Sequence, residues 1–160
     1  MKKIALTLTL LFTAALVWAG KPAKVQNLIN EFRHYEGFES VSVGPLGLAL
    51  AKAVILSDDD LDGEDRAFIK SFDSIRRISI LDFEDGAAEI KERFVARVKK
   101  VLNGMSLILE MKDDGDRLSI YGNEKDGTIR DCVLFDPSGT LICVRGTVSV
   151  DNLVAAVNHD

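Results

Sequence analysis

The densest run of chemistry-bearing residues is Asp58-Asp59-Asp60-Leu61-Asp62-Gly63. Asp58, Asp60 and Asp62 alternate and Gly63 follows them. Calcium loops use this D-x-D-x-D-G spacing to bring alternate carboxylates around one ion and to bend tightly at glycine. Counted from Asp58, the twelfth position is Ile69, where an EF-hand supplies its closing bidentate glutamate. Two readings follow. One is a weak calcium site on Asp58, Asp60 and Asp62, loosely completed by Glu64 or Asp65. The other, which the missing glutamate favours, is a solvated acidic loop that also places negative charge at the start of the next helix.

The remaining candidates are sparse. His34 falls at the end of a helical pattern, and His159 is next to the C-terminus, where chain ends fray. No G-x-S-x-G or similar motif marks a nucleophile for either histidine. Two cysteines cannot make a four-thiolate zinc site. The 25 acidic residues permit many carboxylate pairs of the kind glycoside hydrolysis needs, so their number marks no particular pair. The expectation is a protein without catalytic residues and without a cofactor.

Composition narrows the class. With 160 residues, 47% hydrophobic and 28% charged, the chain has material for one core. A net charge of -5 argues against a phosphate-neutralising surface, so nucleic acid is not an expected partner. Lys2 and Lys3 precede the uncharged run Ile4–Trp18, and Val17 and Ala19 place small residues at the -3 and -1 positions before Gly20. This is the layout of a secretory signal peptide cleaved between Ala19 and Gly20. The run falls short of the roughly 20 residues a spanning helix needs, so the mature chain is expected to carry no transmembrane anchor. The division is then a signal peptide over residues 1–19 and a single domain over 20–160, periplasmic or secreted.

The elements that must position any site can be read from periodicity. Val25, Leu28, Ile29 and Phe32 share one helical face, and Gly37 ends that segment. Phe38–Val43 alternates as a strand, and Gly44-Pro45 breaks it. Leu46–Leu56 is almost wholly apolar and reads as a helix buried in the core, or else as an incompletely covered docking face. A short amphipathic segment follows, with Phe68, Ile69 and Phe72 on one side. Ile75–Phe83 is a second strand, in which strict alternation sends Arg76 and Arg77 to opposite faces, so that they form no patch. From Ala87 to Leu102, the residues Ile90, Phe94, Val98, Val101 and Leu102 form one helical stripe, with Asn103-Gly104 as a positive-φ stop.

Four strands follow, Met105–Lys112, Arg117–Asn123, Thr128–Phe135 and Thr140–Val148, joined by turns at Asp113-Asp114-Gly115, Lys125-Asp126-Gly127 and Pro137-Ser138-Gly139. A last short helix capped by Ser149 or Asp151 closes the chain. The expected fold is α+β: a two-layer sandwich with a mostly antiparallel sheet, a four-strand C-terminal meander and helices packed on one face. A three-residue loop at Pro137-Ser138-Gly139 sets Asp136 against Thr140, Asp131 against Arg145, Cys132 against Val144 and Cys143 against Val133. The two thiols then lie on opposite faces and cannot bond. A four-residue loop would pair the cysteines but also oppose Arg130 to Arg145, a like-charge contact.

Three segments together resemble a known family: Asp73-Ser74-Ile75-Arg76 entering the second strand, Lys112-Asp113-Asp114-Gly115-Asp116 before the strand that reaches Tyr121, and the closing Asp131 to Gly146 hairpin. They are similar to the domain of unknown function 4252 family, over about residues 25–158. The resemblance implies a small exported protein of gram-negative bacteria, and it brings no activity, ligand or catalytic residue. The functional expectation is a non-enzymatic envelope protein that acts on a partner protein or surface. The alternative is a small periplasmic hydrolase or ligand-binding module built from dispersed carboxylates. Converging carboxylates with raised pKa would favour the alternative, and an apolar surface patch would favour the first.

Overall fold

The structure, a computed structural model, describes residues 24–56, 74–113 and 116–151. The first helix, α1, covers 24–32. Its spacing works as read, for Val25, Leu28, Ile29 and Phe32 are all buried. A turn ending at Gly37, with φ 77°, leads into β1 (Glu39–Val43). The glycine is required there, because a Cβ would collide with the carbonyl of Asp85. Next come α2 (Pro45–Leu56), β2 (Ile75–Asp82) and α3 (Ala88–Leu102). The meander β3 (Ser106–Asp113), β4 (Asp116–Lys125), β5 (Thr128–Asp136) and β6 (Thr140–Ser149) completes the order.

The six strands form one antiparallel sheet in the order β1-β2-β6-β5-β4-β3. The α+β expectation is met. Local chemistry sets the hairpins. Asp126 and Gly127, with φ of 54° and 75°, form a two-residue turn between the paired Lys125 and Thr128, the positive-φ geometry that matches strand twist. Asp136 faces Thr140 across Pro137-Ser138-Gly139, and the Asp136 carboxylate accepts the Ser138 N–H at 2.8 Å.

Helices α1 and α3 pack on one face. Phe94 is the hub of the rings, with its centroid 4.9 Å from both Phe32 and Phe83, and Val98, Leu102, Leu81, Val133, Phe135, Leu141 and Cys143 belong to the same buried cluster. The α3 stop differs from the expected positive-φ cap. Asn103 stays right-handed at φ -55°, and the helix tightens instead through bonds from Gly104 N to Val101 O and Met105 N to Leu102 O.

The opposite face is apolar too. Ile75, Ile120, Ile129, Cys132, Val144 and Val148 form a second cluster, joined by Leu48 of α2. The sheet therefore buries residues on both faces, whereas the two-layer expectation places every helix on one. Burial of the Leu46–Leu56 run holds only in part, since Leu48 packs inward while Leu46 is 76% and Leu50 60% exposed. With Lys52 as its single charged residue, the run carries too little polar punctuation to mark which side faces the sheet. The segment with Phe68, Ile69 and Phe72 and the closing helix beyond Asp151 lie outside the described residues.

Candidate functional site

Five strands break step at one level of the sheet. In β2, Ile75 pairs with Gly146 but Arg77 pairs with Arg145, which leaves Arg76 as an extra residue. Between β5 and β6 the ladder passes from Val133–Cys143 to Arg130–Thr147. The β4–β5 ladder shifts between Tyr121 and Asn123, and the β3–β4 ladder between Leu107 and Leu109. Such bulges bend strands and re-aim side chains; aligned across neighbours, they crease the sheet.

The crease is held by backbone chemistry. Gly146 has φ 128°, and the start of β2 passes so close that a Cβ there would meet the Ile75 Cα at 2.8 Å and the Arg76 nitrogen at 3.1 Å. Asp131 adopts φ 52°, a left-handed conformation that aspartate tolerates at a cost of about 1 kcal/mol. Its carboxylate offsets that cost by accepting the Gly146 N–H at 2.9 Å and approaching Arg145 Nε at 3.4 Å.

Side chains along the crease enclose a depression of about 530 Å³, lined by Ser74, Arg76, Arg130, Asp131, Arg145, Gly146 and Thr147. A second depression of about 330 Å³, lined by Gln26, Pro45, Arg76, Arg77 and Arg145, shares Arg76 and Arg145 with the first. Three arginines thus share one depression with a single carboxylate, and a fourth, Arg77, lines the adjoining one. Arg76, Arg77 and Arg130 make no ion pair among the described residues. This corrects the alternation argument: the extra residue at Arg76 brings Arg76 and Arg77 to one depression. Sequence reasoning missed the cluster because it is assembled by bulges. The available signal was Gly122 and Gly146 inside strand-like runs, where glycine marks a bulge or a close backbone approach.

Asp58, Asp60 and Asp62 lie outside the described residues. Among the described residues, no group of three or more His, Cys, Asp or Glu is placed to hold a metal. His34 is exposed in the turn after α1, with Arg33 Nε at 3.5 Å from its Nε2. Hydrogen bonding to Arg97 and to Arg117 holds the Glu31 and Glu110 carboxyls below their ordinary range, opposite to the raised pKa of a general acid. Burial pushes the Cys132 thiol up to about 12 and the Cys143 thiol up to about 11, so both stay protonated and poorly nucleophilic near neutrality.

A family model described as "Domain of unknown function (DUF4252)" matches residues 32–156. The chain belongs to the DUF4252 family. The DUF4252 match takes in every strand of the sheet and the whole arginine crease. No curated protein and no solved structure matches the chain.

Proposed function

We propose that this DUF4252 protein is a non-enzymatic exported protein, periplasmic or secreted after cleavage between Ala19 and Gly20, that acts by holding a partner protein or envelope surface. The observation that carries this reading is the outer face of α2. Leu46 and Leu50 are 76% and 60% exposed, and Ala49 and Ala53 are exposed beside them. A helix with apolar residues all round is ordinarily buried; one that turns leucines to solvent suits an interaction surface. Val41 and Ile80, paired across β1 and β2 and also exposed, extend the apolar character onto the sheet edge.

Two further observations support the reading. Glu31 and Glu110 are paired with arginines and held ionised, which offers nothing to the carboxylate-hydrolase alternative. No described helix is long and apolar enough to cross a membrane.

The test is affinity capture from the cell envelope with the mature chain and with the Leu46→Asp/Leu50→Asp variant, both checked for folding by circular dichroism. A component retained by the parent and lost from the variant is the expected result. Equal retention by both, or retention of nothing, would refute the role of this face.

A further inference from the structure

The arginine crease serves neither the core nor the apolar face of α2, and it runs against the charge of the molecule. The chain carries a net charge of -5, yet Arg76, Arg130 and Arg145 line one depression and Arg77 joins Arg76 and Arg145 in the adjoining one. Arg77 stands directly opposite Arg145 in the β2–β6 ladder, a like-charge pairing that destabilises a sheet. The one carboxylate lining the first depression, Asp131, is already engaged by the Gly146 N–H and Arg145. It sets the position of Arg145 and leaves the other guanidiniums without a counter-charge among the described residues.

We propose that this crease is a binding site for a phosphate-type oxyanion. Guanidinium groups present planar forks of donors that match phosphate oxygens two at a time, and they stay charged at any physiological pH. Guanidiniums from three strands address several oxygens of a tetrahedral dianion at once, whereas a carboxylate offers two oxygens in one plane. The geometry therefore selects a phosphoryl group over an acetate-like ligand. The depression of about 530 Å³ leaves room beside a phosphoryl group for a body that carries it, a soluble phosphomonoester or the head group of a lipid. Binding sets a dianion against Arg76 and Arg130 and lessens the repulsion among the guanidiniums of the crease.

The site goes beyond the interaction role of α2 and is tested separately from it. Calorimetric titration of the mature chain at fixed ionic strength uses inorganic phosphate, glycerol phosphate and acetate. A parallel arm measures cosedimentation with phosphatidylglycerol and with phosphatidylcholine vesicles. The expected result is saturable phosphate or glycerol phosphate binding, weakened at least about tenfold in Arg76→Ala/Arg130→Ala and weakened by added salt. Arg93→Ala, which removes a cation at the Phe32 and Tyr35 rings, and Leu50→Asp should bind as the parent does.

Vesicle binding restricted to phosphatidylglycerol and lost in the same double variant would assign the phosphoryl group to a lipid. Binding of the soluble ligand alone would assign it to a solute. No binding in either arm, equal binding of acetate, or no effect of the double variant would overturn the proposal. Both replaced arginines are exposed, and circular dichroism of the variant confirms that the loss is one of binding.

Discussion

Cys132 and Cys143 show how much one register decides. The pairs Val133–Cys143 and Asp136–Thr140 stand as the three-residue loop requires, and the thiols fall into two different clusters on opposite faces of the sheet. Alkylation of the folded chain should therefore be slow, with two thiols per chain reacting once it is denatured without reductant. Detection of none would disprove the arrangement. Burial raises both thiols from 9.0, to about 12 for Cys132 and about 11 for Cys143. The unfolded chain releases those protons first, so their contribution to stability is complete below about pH 9 and is lost as pH rises toward the folded values, by up to about 1.4 kcal/mol per pH unit for each thiol. Urea midpoints between pH 8 and 10.5 should fall more steeply for the parent than for Cys132→Ala/Cys143→Ala. Parallel slopes would count against it.

Glycines and helices separate at the scale of elements, where surroundings decide what a shared conformation costs. Gly146 and Gly127 both have positive φ, 128° and 75°, but a Cβ at Gly127 meets nothing within 4 Å while one at Gly146 runs into the backbone of β2. Gly127→Ala should cost about 1 kcal/mol, from strain alone. Gly146→Ala must also push β2 aside, and should cost several-fold more and disturb the arginine crease. Equal shifts in urea midpoint would show that the crease is not tight.

Along α3, Phe94 is fully buried among the other rings, and Phe94→Ala should lose about 3–5 kcal/mol by cavity formation. A loss below about 1 kcal/mol in the same unfolding assay would deny it the central place in the core. The α3 stripe was legible in the sequence because it alternates with charged residues, and the hairpins because Asp126-Gly127 and Pro137-Ser138-Gly139 carry their own turn chemistry. The side of α2 that meets the sheet was not legible, since Leu46, Leu48 and Leu50 are chemically alike. Neither was the crease: it arises where five strands lose step together, a tertiary property with only Gly122 and Gly146 as local trace.

Across the whole molecule, the described core begins almost at once after the expected cleavage point. Val25 and Phe32 are fully buried and Leu28 and Ile29 nearly so, all packed with α3 and the sheet. At about 1.5–3 kcal/mol for each large apolar side chain buried, the α1 face contributes on the order of 6–12 kcal/mol. This is comparable to the entire net stability of an ordinary domain, about 5–15 kcal/mol. All four residues of that face lie beyond residue 19, whereas removal of α1 strips one side of Phe94 bare. Exported protein should therefore have an intact mass that begins at Gly20, and a chain beginning there should unfold cooperatively, while a chain beginning at Glu36 should be unfolded or aggregated at room temperature. Retention of Met1 in the exported form would refute the cleavage. Cooperative unfolding of the shorter chain would refute the dependence of the core on α1.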